Sequence, residues 1–224
     1  MTDPPPSAWQ LAQQAGDDLV DPDHLATEVH DLTAAVRRLV AAAVATDVDG
    51  PDRALAVAAI DEVTERLGST RRDPLVWVGR HADGRVENLT QAGSGAANPH
   101  ALPLRFEHAT PRDPTAVPAP VEVVGHCTLD DAHGGPPERA HGGVVATMLD
   151  EAVGRATVLA GAPGLTAGLS VRFRAPTPLH RPLVVRARYE RTEGRTHVAT
   201  GEVLDGAVVT ASAEGFFRAP TPSP

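Results

Sequence analysis

Lysine is missing from this sequence: all 20 of its basic residues are Arg. We read that as a trace of genomic base composition, not of mechanism. Cysteine is nearly missing too. Cys127 stands alone, so no disulfide can form within the chain, which suits a reducing compartment. Aromatic residues make up only 3%, and Ala and Val carry the apolar load. No apolar run approaches the roughly 18 residues expected of a membrane span. The opening MTDPPPSAWQ has no basic stretch followed by an apolar one, so no secretion signal is expected and the cytoplasm is the expected location. A block of basic residues is lacking as well. The net charge is −9, and it is uneven: residues 1–73 carry 14 acids and 6 Arg, residues 74–224 carry 15 acids and 14 Arg. Such a balance argues against nucleic acid as a partner.

What is there falls into four stretches. Residues 1–21, rich in Pro, Asp and Gln, are expected to be flexible. Residues 22–69 carry two amphipathic helical patterns. One begins at Pro22 and Asp23, with Leu25, Val29, Leu32, Val36, Leu39, Val40 and Val44 on its stripe. The other begins at Pro51, with Leu55, Ile60, Val63 and Leu67, and ends at Gly68. With a short Asp-Gly-Pro joint between them they predict a helical hairpin, whose stripes call for a partner surface in this chain or another. Residues 70–120 read as a linker folded over the domain, with short strands at Leu75–Val78 and Leu102–Phe106. Residues 121–218 predict a strand (Val121–Leu129), a helix buried on most sides (Gly143–Ala160), and four strands (Thr166–Ala175, Leu183–Arg191, Thr196–Leu204, Val208–Arg218) separated by tight turns at Glu193-Gly194 and Asp205-Gly206. A sheet wrapped around one central helix satisfies that order.

The distinctive segment is Ala140-His141-Gly142-Gly143-Val144-Val145-Ala146-Thr147-Met148-Leu149-Asp150-Glu151. His-Gly-Gly opens the buried helix, and Asp150 follows nine residues after His141. This pattern resembles the hotdog-fold acyl-CoA thioesterases of the phenylacetate-pathway (PaaI-like) type, and within them the thioesterase superfamily member 4 group. Gly135-Pro136-Pro137, Leu165-Thr166, Arg172 to Leu179 and Glu193-Gly194-Arg195 share the likeness, which spans roughly 121–218. The resemblance implies an α+β hotdog fold preceded by the helical hairpin. It implies hydrolysis of acyl-CoA by carboxylate-activated water, a homodimer or dimer of dimers, and no cofactor or metal.

Physical chemistry fits that implication. The first turn of a helix offers unbonded N–H groups and the positive end of the dipole. Glycine leaves room for a carbonyl to approach them. By resemblance, the Gly142 N–H is the oxyanion donor, His141 orients the turn or contacts the thioester, and Gly143 lies against the substrate. A carboxylate in an apolar helix is costly without partners or a chemical role. As base, Asp150 would activate water; as nucleophile it would form an anhydride, and the sequence leaves both open. Thr166 matches the position that holds the nucleophile or the water, and by resemblance it serves the Asp150 of a neighbouring chain. Gly135 departs from the pattern, because some relatives carry Asn or Gln there to position water; we keep it among the substrate-side residues.

Plainer readings stand beside these. His133-Gly134-Gly135 is a second copy of the motif with no helix pattern directly behind it, and reads as structural. Glu151 reads as a surface partner of Arg155, with a role as base as its alternative. Cys127 reads as a core thiol. The Arg residues of the last strands read as a solvated face with ordinary ion pairs, but Arg174 and Arg181, flanking Pro-Thr-Pro, are candidates for CoA phosphates. The small residues of the central helix suggest room for a bulky or long acyl group. The competing functions are a hotdog protein that binds acyl-CoA without turnover, a hotdog hydratase using His141 and Asp150, and a passive scaffold for an interacting N-terminal hairpin.

Overall fold

The computed structural model of the chain describes residues 19–73, 75–82, 84–107 and 117–219. Most of the stretch expected to be flexible, residues 1–18 of 1–21, lies outside them. Among the described residues, no helix is long and apolar enough to cross a membrane.

The core is one helix and one sheet. Helix α3 (Gly142–Leu159) buries Val145, Met148, Leu149, Ala152, Val153, Ala156 and Leu159, a three- and four-residue rhythm that turns one broad face to the sheet. Among the described residues there are eight strands: β1 (Val78–Arg80), β2 (Val86–Asn88), β3 (Arg105–Phe106), β4 (Glu122–Thr128), β5 (Leu165–Phe173), β6 (Pro182–Glu193), β7 (Thr196–Asp205) and β8 (Val208–Arg218). Six form an antiparallel sheet in the order β3-β4-β6-β7-β8-β5; β1 and β2 pair separately. The long hairpins β6–β7 and β7–β8 turn at Gly194 and Gly206, both at φ 59, where a side chain would be strained. The helix can lie close because the sheet has no side chain at two points beneath it. A Cβ on Gly201 or on Gly215 would come within 3.0 or 2.8 Å of Val153. β4 and β6 are neighbours although β5 lies between them in sequence, because β5 crosses to the far edge beside β8, where among the described residues its outer side has no strand partner. Leu165 and Phe173 on that edge are 75% and 59% exposed.

The predicted strands of residues 121–218 and the central helix agree with these bounds to within about two residues at each end, the ordinary scatter of element ends. The front of the chain differs more. The first helical pattern is interrupted: residues Pro22–His24 form a single 3-10 turn, Leu25 and Ala26 are extended at ψ 140 and 137, and α1 runs only from Thr27 to Ala45. Leu25 is buried, and the extended step that seats it breaks the helix. Helix α2 (Gly50–Gly68) follows, and every residue in it is exposed. The surface its apolar stripe calls for is therefore not supplied by the described residues. α1 is docked by Arg37, whose guanidinium donates to the carbonyls of Asn98 (3.2 Å), Pro99 (3.3 Å) and Ala101 (2.9 Å). In residues 70–120 the strands are shorter and displaced relative to expectation. The segment between β2 and β3 buries Leu89, Ala101, Leu102 and Leu104, so side-chain burial anchors it where strand pairing does not.

Candidate active site

The N-terminus of α3 is built by a knot of short-range bonds. His141 is the N-cap, and its ring Nδ1 accepts from the Gly143 N–H at 3.0 Å. The His141 N–H in turn donates to the His133 carbonyl (2.9 Å), and Ala140 N–H to the Thr177 carbonyl (2.9 Å). His133 is itself held by Asp130 at 2.7 Å within the 3-10 turn Asp131–His133. The first His-Gly-Gly copy is thus structural in a specific sense, because it forms the floor on which the second copy rests.

Gly135 sits on that floor. A Cβ there would meet the His141 Cα at 2.9 Å and its N at 3.2 Å. The position that carries Asn or Gln in some relatives has no room for a side chain here, so Gly135 packs against the motif instead of presenting a group to a ligand. The Gly143 N–H is committed to His141 and is not offered outward. Gly142 is the one that remains. Among the described residues its N–H has no acceptor, while the next three N–H groups are all satisfied by His141. The open donor faces a cleft of about 390 Å³ walled by Pro136, Val145, Phe173, Arg174 and Thr177.

Asp150 lies eight residues further along α3 and is half-buried. Its Oδ1 accepts from the Thr166 hydroxyl at 3.1 Å, across from the start of β5. That bond is made within one chain. β5 crosses the helix directly after the turn that ends it, which brings the two side chains together. Among the described residues, Oδ2 has no hydrogen-bond partner.

Glu151, one position on, has a different fate from the expected surface pair. It is half-buried and accepts from Gln91 Nε2 (2.8 Å) and Ser94 Oγ (2.7 Å), under a loop whose Gly93 leaves no space for a Cβ. Arg155 places its guanidinium 4.6 Å over the Phe106 ring. Arg174 donates to Ser212 Oγ at 3.1 Å and borders the Gly142 cleft. Arg181 pairs with Asp205 at 2.9 Å and is not among the residues walling that cleft. Several other Arg residues of the sheet make the expected ion pairs, Arg188 with Glu190 and Arg191 with Glu193 among them.

Sequence reasoning missed Phe173, Gln91 and Ser94. Phe173 falls on the apolar side of an alternating strand and reads as core. It instead ends β5 exposed, with its ring 3.2 Å from where a Gly142 Cβ would be. Nothing in the spacing of Gln91 or Ser94 points to Glu151, 57 to 60 residues away.

Cys127 is buried on β4, and burial pushes its thiol up to about 12. The thiolate that reacts is then scarce at neutral pH. Iodoacetamide at pH 7 should label the folded chain far more slowly than the urea-unfolded chain. Equal labelling rates would contradict this environment.

The thioesterase superfamily matches residues 138–219, the stretch that holds Gly142, Asp150 and Thr166. The sheet around α3 is shared as well: a crystal structure described as a thioesterase superfamily protein superposes with a TM-score of 0.72 at 29% identity, covering 89% of this chain and 94% of that one. The chain has the hotdog fold, and its residues 138–219 match the thioesterase superfamily. Acyl-coenzyme A thioesterase THEM4 of Xenopus laevis is 38% identical over 61 residues, 27% of this chain and 28% of that one. The Bos taurus protein of the same name is 34% identical over 85 residues, 37% of this chain and 35% of that one. The hotdog chain thus matches only about a third of the length of these curated relatives, and its α1–α2 region lies outside the family match.

Proposed function

We propose that this hotdog protein hydrolyses acyl-CoA thioesters to the free acid and CoA, without a metal or other cofactor, as a thioesterase of the phenylacetate-pathway type. The observation that carries the reading is the pairing of an unsatisfied Gly142 N–H at the head of α3 with a Thr166-held carboxylate, Asp150, on the same helix. Asp150 Oδ2 takes a proton from water, and the water oxygen attacks the thioester carbon. The carbonyl oxygen gains the charge and is met by the Gly142 N–H and the helix dipole. Collapse of the tetrahedral centre breaks the C–S bond, and the CoA thiolate leaves, taking the proton from Asp150.

One chain cannot perform this alone. Eight residues of helix separate Gly142 from Asp150, about 12 Å of rise. A base and an oxyanion donor must each lie within about 3 Å of one reacting group. The working site therefore joins Asp150 and Thr166 of one protomer to the His141-Gly142 turn of its partner. The unpaired β5 edge, which begins with Leu165-Thr166 and ends with Phe173 by Gly142, is where a second copy would lie. In this division the glycine turn is the element that crosses the interface, with Thr166 and Asp150 together on the other protomer. A homodimer is the smallest assembly that completes two sites, and a dimer of dimers keeps the same pairing. The cytoplasm is the expected compartment, consistent with the single buried thiol.

A second reading has one observation in its favour. Gly135, pressed against His141, cannot supply the water-positioning amide of some relatives, which leaves room for a protein that binds acyl-CoA without turning it over. The test is thiol release from short-chain, long-chain and aryl acyl-CoAs, with binding of the same compounds followed by calorimetry. Release of CoA with any of them supports the hydrolase. Tight binding with no release from any of them selects the second reading.

A further inference from the structure

A cluster outside the thioesterase motif gathers on the strap that leads into α1. Val20 bridges Gly79 of β1, and the Arg80 N–H donates to the Val20 carbonyl at 2.9 Å. A Cβ on Gly79 would meet Pro22 at 2.6 Å, so the strap lies flat on the strand. This clamps Asp21 and Asp23 over His81, which follows β1 and is only 6% exposed. His81 Nδ1 stands 3.0 Å from Asp23 Oδ2, and Nε2 stands 2.9 Å from Glu87 Oε2. One donor atom from each of Asp21, Asp23 and His81 falls within 4.8 Å of the others.

Both nitrogens of a buried imidazole thus face carboxylates. A neutral imidazole carries one N–H, and a carboxylate can only accept it. With Glu87 accepting at Nε2, the Nδ1 lone pair faces Asp23 Oδ2, and Asp21 lies beside it with its Oδ2 2.8 Å from His24 Nδ1 and its Oδ1 accepting from the Asp23 N–H at 3.0 Å. A metal ion at Nδ1 would be met by that lone pair and by the carboxylates beside it. We infer that Asp21, Asp23 and His81 form a binding site for a divalent ion of the zinc class, with Glu87 fixing the imidazole from behind.

Three features favour the ion. Imidazole nitrogen with two carboxylates is a donor set suited to zinc and its neighbours in the first transition row. Zinc ligands stand about 2.0–2.2 Å from the ion, which puts two ligands of a tetrahedral site roughly 3.3 Å apart, close to the observed spacing of His81 and Asp23. A carboxylate on the far nitrogen is the usual partner of a metal-bound histidine. The exposed side of Asp23 leaves the fourth position to water. The ion would pin the strap, and with it the start of α1, to β1 and β2. It is independent of the thioesterase reading.

The test uses the full chain, stripped with a chelator and titrated with zinc by calorimetry. One ion per chain is expected to bind. Asp21→Asn and Asp23→Asn should each weaken it at least tenfold, and Glu87→Gln about 10–100-fold. Asp21 and Asp23 lie near the surface, so their variants should keep the wild-type circular dichroism spectrum. Two results overturn the site. One is an absence of stoichiometric zinc binding. The other is undiminished binding in the Asp21 and Asp23 variants, which would move the ion to other histidines.

Discussion

Asp150→Asn is expected to lower kcat for acyl-CoA hydrolysis by two or more decades while leaving the protein folded. The substitution keeps size and shape. Thr166 can still donate, now to the amide oxygen, so the bond that fixes the side chain survives. What disappears is the lone pair that takes the proton from water; an amide is not a base at neutral pH. General base catalysis contributes typically about 10²–10⁴-fold, and that range sets the expected loss. KM should move little, because the oxyanion donor and the cleft are untouched. Steady-state thiol release with a thermal melt on the same preparation checks both halves. Retained activity in a folded Asp150→Asn protein would remove Asp150 from the mechanism and make Glu151, bound by Gln91 and Ser94, the next candidate for the base. Trapping a covalent acyl group on wild-type Asp150 in single turnover would replace the water mechanism with the anhydride one.

Gly142→Pro is expected to cost about 10²–10³-fold in kcat, for a reason unlike that of Asp150. Proline removes the N–H and little else. Gly142 is the first residue of α3, where proline's fixed φ suits the helix and no intrahelical bond is lost. His141 is already extended, at φ −64 and ψ 137, as a residue before proline prefers. The added carbons would approach Phe173, whose ring is exposed and free to turn aside. Mixing then tests the division of labour. A chain with Asp150→Asn and a chain with Gly142→Pro are each inactive as homodimers. Co-expressed, half of the dimers pair unlike chains, and each of these contains one site with both groups intact. About a quarter of wild-type activity should return. No recovery from well-mixed, folded dimers would mean that both groups act within one chain, contrary to the 12 Å separation along the helix.

Much of this was legible beforehand, and for local reasons. The period-two runs of β4 to β8 and the apolar face of α3 are patterns that burial of one face imposes on neighbouring residues, so a linear reading finds them. The Gly turn at the head of α3 was readable for the same reason, because a helix start is decided within a few residues. Thr166 and Asp150 came from a resemblance to the thioesterases, not from spacing. The helix start at Pro22 was misplaced because burial of Leu25, a tertiary matter, overrode an otherwise good helical period.

What the sequence determined by itself, then, is the set of elements and the chemistry of the groups it sets at their ends: a buried helix opened by His141-Gly142 and carrying Asp150, and strands that alternate against it. Only the tertiary structure decided which of those groups meet. It committed the Gly143 N–H to His141 and left Gly142 open. It closed Gly135 against His141, bonded Thr166 to Asp150, and bound Glu151 to Gln91 and Ser94. It also laid Asp21 and Asp23 over a histidine some 60 residues away. The physical reason is range. Backbone preference and burial periodicity act over a few residues. Hydrogen-bond partnership and close packing depend on where distant segments cross, and strand order and the seating of loops are settled by the whole core at once.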